Sequence, residues 1–168
     1  KAGELGGWIE SEENLSQDDN AWIYSEAIVF DNAKVFGNAK ILGNAHIFGN
    51  AKVFDSARVY NYARVYGDAM VHNNAIVYDN AIVYDNAIVS DYAEVRENAK
   101  VCDNAEVCGL TSIFGNAKIF GNATIKGNAK VHDASDYIVF KNFWSSERYF
   151  TWTRSNNKWS VGCFYGTG

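Results

Sequence analysis

Three histidines are the first place to look for chemistry in this chain, because imidazole is the side chain that can take and return a proton near neutral pH. They are His46, His72 and His132. A general base must reach its acceptor inside a site that sheds water. His46 and His72 are the two placed to try, as the catalytic candidates. A zinc centre would need several of these imidazoles to converge, and their spacing does not bring them together, so no metal site is expected. Arg58 with Tyr60, and Arg64 with Tyr66, form a second constellation. A guanidinium beside a ring is suited to holding a phosphate and stacking a planar group, so these four residues are the ligand-binding candidates. Cys102, Cys108 and Cys163 lack metal-type spacing and read as reduced thiols, with nothing near Cys102 or Cys108 to depress a thiol pKa.

These residues sit in, or just after, an array that repeats every six positions. From Asn20 to Asp133 nineteen hexads run in frame: Asn, Ala, any residue, Val or Ile, any residue, then Gly, Asp or Asn. The fourth position is always Val or Ile, and the second is Ala except at Thr111. Positions two apart share one face of an extended strand, so Ala and Val/Ile must point inward. Gly, Asp and Asn tolerate left-handed backbone and make the corner, which is the reading given to Asp79, Asp85 and Asp91. A strict period of six does not fit a helix. A strand this short cannot bury its face alone and must stack, three hexads per triangular coil, residue i under residue i+18. About six coils result, with Asn ladders up the corners.

The third and fifth positions then point outward. The fifth is aromatic in eleven hexads, and the third carries Met70, Ile76, Ile82 and Ile88 in the middle of the array. Cys102 and Cys108 fall on adjacent outer faces. Columns of exposed rings this long call for a cover, by mutual stacking or by self-association. Thr111 and Thr124 are too few for the regular threonine columns of an ice-binding face.

Residues 1–19 precede the array and read as an N-terminal cap, with Trp8, Ile9 and Leu15 as its apolar contacts. Residues 134–168 follow it and read as an antiparallel meander of three strands. Its turns are placed at Trp144-Ser145-Ser146-Glu147 and Ser155-Asn156-Asn157-Lys158. Ten of these thirty-five residues are aromatic, more than a lid requires. Tyr149, Trp152, Arg154 and Trp159 are the interaction candidates there, with the aromatic residues also open to a core role.

The stretch "IFGNAKIFGNATIKGNAKV" resembles the hexapeptide-repeat family, whose fold is a left-handed parallel β-helix. Val35-Phe36-Gly37-Asn38-Ala39-Lys40 fits that family's phrase, with Phe36 as the departure, and the match covers about two thirds of the chain. The lead-in words Gly6-Gly7-Trp8-Ile9-Glu10 and Asn14-Leu15-Ser16 resemble uncharacterised hexapeptide-repeat proteins of bacterial genomes and prophages. The resemblance implies a left-handed coil and a homotrimer. It also implies an acyltransferase activity, with a histidine base and acetyl-CoA lying between neighbouring prisms. That family's sites usually depend on a loop thrown out of a coil, and the nineteen hexads here carry no insertion.

Composition narrows the classes. A net charge of -5 gives no basic footprint for nucleic acid, and no apolar run is long enough to cross a membrane. The expected location is cytoplasmic. The chain opens on Lys1 and stops at Gly168, and both ends are expected to be cut from a longer chain. The expectation is therefore an all-β left-handed parallel β-helix with a small antiparallel C-terminal unit. Its expected function is a non-enzymatic binding protein, of prophage type, without a cofactor. It self-assembles through flat faces and sequesters a small anionic, nucleotide-like ligand or engages a host protein. An acyl-CoA-dependent acyltransferase is the alternative, and a structural spacer the second.

Overall fold

The computed structural model describes residues 5–143, 147–161 and 164–167. Each hexad forms a two-residue strand and a corner. The strands close three parallel sheets that run the length of a solenoid, two with seven strands and one with six. Within the array, partners are eighteen residues apart, as in Ile23 with Ile41 and Val71 with Val89. The sheets are called here the His46 face, the Met70 face and the Ile76 face after an outward residue on each.

The inward positions fill the interior completely. The alanines of the second position and the Val/Ile of the fourth are buried from Ala21 to Val131, most of them at 0% exposure. The one odd member, Thr111, is equally buried, and its hydroxyl has no hydrogen-bond partner among the described residues.

The corners explain the sixth position. Every sixth residue from Ser25 to Gly127 has a positive φ. Glycine adopts this cheaply, and Asp and Asn at modest cost. Where the corner residue is acidic, it does further work. Asp91 accepts from the Gly109 N–H one coil above at 3.0 Å, Glu97 from Gly115 at 2.9 Å, and Asp103 from Gly121 at 2.8 Å. Asp19, Asp31, Asp55, Asp79 and Asp85 do the same for the corners above them. The Asn ladders at the first position are partial, as in Asn20 to Asn38 and Asn32 to Asn50, each at 3.2 Å.

The lead-in adds a rung below the hexads. Trp8–Ile9 pairs in parallel with Ile28–Val29 at a spacing of twenty, and Leu15 bridges Val35 at the same spacing. Two extra residues therefore lie between Leu15 and the first hexad strand. Gly7 takes the place of an inward alanine, and a methyl there would stand 2.5 Å from the Ala27 carbonyl oxygen. Leu15 packs against the core, whereas Trp8 is exposed and Ile9 only half covered.

The two ends differ in polarity. At the first, third and fifth positions the N–H donates to a carbonyl of the next coil: Asn38 to Asp55, Lys40 to Ala57, Leu42 to Val59. The lower end is thus left with spare carbonyls and the upper end with spare donors. Below, the buried Asn14 side chain donates to the carbonyls of Asp31 and Ala33, both at 2.9 Å. Above, side-chain oxygens accept from the last coil: Thr151 from Thr124, Ser155 from Lys130, and Asp136 from His132.

Those upper acceptors belong to the C-terminal unit. It has four antiparallel strands, Tyr137–Lys141, Tyr149–Thr153, Lys158–Val161 and Phe164–Gly166, in sequential order. The sequence predicts three, because Lys158 to Gly166 reads as one unbroken strand. The expected turn at 155–158 is a turn over 154–157, and the other expected turn lies largely outside the described residues. Tyr137, Thr151, Thr153 and Ser160 are buried against the solenoid. Tyr137 donates to the Lys118 carbonyl at 2.8 Å. Gly127 at the last corner has a positive φ, and a methyl there would press on the Tyr165 hydroxyl, so that side chain would have to move aside.

Candidate functional site

The fifth-position rings do not stand free. Strand stacking sets eight of the eleven one above another at close to the inter-strand spacing and nearly parallel, whereas Tyr24, Phe114 and Phe120 make only edge-on ring contacts. Phe30, Phe48, Tyr66 and Tyr84 make one ladder on the His46 face, with centroids 4.7–5.2 Å apart. Phe36, Phe54 and His72 make a second, and Tyr60 with Tyr78 a third. A spacing near 4.8 Å exceeds the contact distance of two rings, so they lean into the favourable offset stack. Ring faces are consumed by the neighbours and ring edges are left outward. Burial raises the hydroxyl pKa of Tyr60, Tyr66 and Tyr78, so these edges are neutral donors.

Each candidate can now be placed. His46 is half-buried at a third position of its face, in register with Arg64 above it. His72 lies on the Met70 face, stacked on Phe54 at 4.8 Å, with Nδ1 3.2 Å from the Asn73 side-chain oxygen and 3.9 Å from Asp55. The two imidazoles therefore occupy different faces of the prism. His132 is exposed near the upper end, with Asp133 3.4 Å away.

Cys102 departs from expectation. It is 1% exposed although it occupies an outward position. It is the small residue between Tyr84 and Phe120 in its column, and the Tyr84 hydroxyl hydrogen-bonds it. Burial pushes its thiol pKa up, and pushes that of Cys108 up to about 11. Cys163 lies outside the described residues. Ligand atoms of Asp85, Cys102 and Asp103 come within 4.8 Å of one another. Both carboxylates there already serve corner N–H groups, and the thiol is held protonated, so this cluster is accounted for by the corner architecture.

The third positions carry a pattern that single-residue reading passes over. Six in succession are basic: Lys34, Lys40, His46, Lys52, Arg58 and Arg64. Because successive hexads visit successive faces, they form a basic collar two rungs tall around the whole prism, five of its six members being Lys or Arg. The pairs in register are Lys34 with Lys52, Lys40 with Arg58, and His46 with Arg64. Among the described residues none of these six has an ion pair. Like charges directly opposite one another on a sheet repel. The next four third positions, Met70, Ile76, Ile82 and Ile88, form an apolar belt around the same circumference. The signal was present in the sequence, but it emerges only when third positions are read in order around the coil.

On the His46 face the third-position column reads Ile28, His46, Arg64, Ile82, Lys100, Lys118, with no acid. On the Ile76 face it reads Trp22, Lys40, Arg58, Ile76, Glu94, Ser112, Lys130. Arg58/Tyr60 and Arg64/Tyr66 thus belong to different faces, each an arginine beside a ring ladder.

The C-terminal candidates divide as well. Trp152 and Trp159 are cross-strand partners on the side of the sheet away from the solenoid, and Trp152 donates to the Asn157 side-chain oxygen at 3.0 Å. Tyr149 alternates to the other side, beneath Lys141, whose ammonium lies 5.9 Å from its ring. Arg154 is in the turn and donates its backbone N–H to the Asp136 carbonyl. The outer side carries Ile138, Phe140 and Phe164 exposed, with an open groove of about 480 Å³ lined by Phe140, Arg148, Phe150, Trp159, Val161 and Phe164. No helix among the described residues is long and apolar enough to cross a membrane.

Two segments, residues 63–79 and 77–91, match the family described as YdcK beta solenoid repeat. They cover the middle coils, and together with the parallel solenoid they support membership of a repeat β-helix class. A search of curated proteins gives no match.

Proposed function

We propose that this chain is a non-enzymatic interaction protein, a rigid prism that assembles with copies of itself through flat faces and takes a small anionic, nucleotide-like ligand. The observation that carries the reading is the basic collar: six basic side chains, five of them Lys or Arg, stacked two to a face without an ion pair among the described residues, beside ladders of aromatic edges. Repulsion between stacked cations is relieved when an oxyanion bridges them. The His46 face is the better of the two arginine faces, since its outward column holds four basic residues and no acid to compete with a ligand. There Arg64 supplies the charge, and the Tyr66 hydroxyl, kept protonated, supplies a donor. Arg58 and Tyr60 are the second arginine–tyrosine pair, on the Ile76 face, where Glu94 in the same column competes with an anion. The separation of His46 from His72 weighs against shared acid–base chemistry, which is why the acyltransferase reading takes second place.

Thermal-shift and calorimetric titrations with a nucleotide panel and acetyl-CoA test this. The expected result is stoichiometric binding of a nucleotide without turnover. A ligand at a hundred times its Kd stabilises by about 2.7 kcal/mol. Arg64→Ala should weaken binding several-fold, and raising salt should do the same. Turnover of acetyl-CoA that is abolished by His46→Ala or His72→Ala would overturn the proposal in favour of the transferase. Silence from the whole panel would remove the small ligand and leave a protein partner, such as a host protein.

A further inference from the structure

We infer that the Ile76 face pairs with the same face of a second copy in antiparallel orientation, across a two-fold axis that passes through Ile76. The inference rests on the self-assembly part of the function proposed above and not on the anionic ligand. The outward column of this face is complementary to its own reverse. One rung below Ile76 stands Arg58, and one rung above it stands Glu94. Turning a second copy end for end puts Ile76 against Ile76, and Arg58 against Glu94 twice over. Two rungs out, Lys40 meets Ser112, and three rungs out Trp22 meets Lys130, so no like charges face each other in this column.

The neighbouring column agrees. It reads Tyr24, Leu42, Tyr60, Tyr78, Arg96, Phe114, His132. Reversed about Tyr78, Leu42 packs on Phe114 and Tyr60 meets Arg96, whose guanidinium is already held over the Phe114 ring at 4.5 Å.

Parallel association does the opposite. The collar runs round all three faces at one height, so any arrangement with parallel prisms, the homotrimer included, sets collar against collar. The His46 face fails even when reversed, because Arg64 would meet Lys100 across Ile82. The Met70 face can match Lys52 with Glu106, but it has six rungs against seven. Seven rungs span about 29 Å, and a flat width of about 13 Å gives roughly 400 Å² of projected area per copy. Side chains that stand off the surface bury more than the projection, which sets the pair near the low end of the specific-interface range. Dimerisation should therefore depend on concentration.

Sedimentation velocity of the full chain over a concentration series, at low and high salt, tests the inference. The expected result is a monomer–dimer equilibrium weakened by salt. Arg58→Glu and Glu94→Arg should each weaken the dimer at least about tenfold, and the double swap should restore it. Within one chain these two residues lie two rungs apart, so rescue reports contact between copies. Glu106→Arg on the Met70 face should leave the dimer intact. A trimer, a chain that stays monomeric, or a dimer that ignores Glu94→Arg but is lost with Glu106→Arg would each overturn it. If the chain is monomeric yet the collar still binds a nucleotide, the pairing fails and ligand binding stands. If the singles have no effect on a dimer that persists, self-assembly stands and this face does not mediate it.

Discussion

Asp91 shows how much one side chain carries in a repeat. It adopts φ 59°, a conformation that favours glycine, yet it is not glycine. Its carboxylate accepts from the Gly109 N–H above and from the Asn73 side chain below. The acid thus trades local backbone strain for two hydrogen bonds between coils. Two substitutions separate these effects. Asp91→Gly loses the bonds but relaxes the backbone. Asp91→Ala loses the bonds and keeps a left-handed residue that alanine tolerates poorly, at about 1 kcal/mol. Denaturant midpoints should fall in the order wild type, Asp91→Gly, Asp91→Ala. An alanine variant as stable as the glycine variant would show that the corner strain is negligible.

The C-terminal sheet is an element held to another element mostly by polar groups. Its solenoid-facing side offers Thr151, Thr153, Ser160 and Tyr137 where a β-sandwich would offer aliphatics. The reason lies in what it covers: the upper rung presents N–H donors, which need oxygen acceptors more than they need apolar cover. Trp152, Trp159 and Phe164, open to a core role on sequence grounds, are consequently on the other side. Tyr137 gives this junction a pH dependence. Burial raises its hydroxyl from the ordinary value of 10.0 to about 12. Between those values the folded chain holds a proton that the unfolded chain has released. The stabilisation is complete below pH 10 and declines as pH rises toward 12. Tyr137→Phe should lose the hydrogen bond to Lys118, and with it part of the alkaline transition read by tryptophan fluorescence. An unchanged alkaline transition in Tyr137→Phe would place the titrating group elsewhere.

For the whole molecule, stability is a sum over coils and their interfaces, because each rung touches only its neighbours. Thr111 tests this. Its buried, unpartnered hydroxyl is an exception in a column of alanines. Thr111→Ala should raise stability by about 1 kcal/mol by removing an unsatisfied polar group. The gain should be local, slowing hydrogen exchange in the rungs around Ala93–Val95 and Ala129–Val131 more than near Ile23. A uniform slowing would mean that the array unfolds as a single unit.

The hexad period by itself determined the solenoid, its three faces, the inward Ala and Val/Ile and the left-handed corners. It could do so because periodic burial and turn chemistry are local properties repeated in register. The sequence also identified Arg58, Tyr60, Arg64 and Tyr66, and their six-residue offset already put the two arginines on different faces, but the run of basic third positions around them escapes single-residue reading. Only the tertiary structure decided how residues eighteen apart engage: the near-parallel offset of the ring ladders, the burial of Cys102 between larger neighbours, and the acids serving the corner above. It alone assigned the two ends their opposite hydrogen-bonding polarity, and so explained why Asn14 lies below and Thr151 and Ser155 above. Those contacts join residues far apart in the chain, and their energies depend on direction and distance, which composition and spacing do not contain.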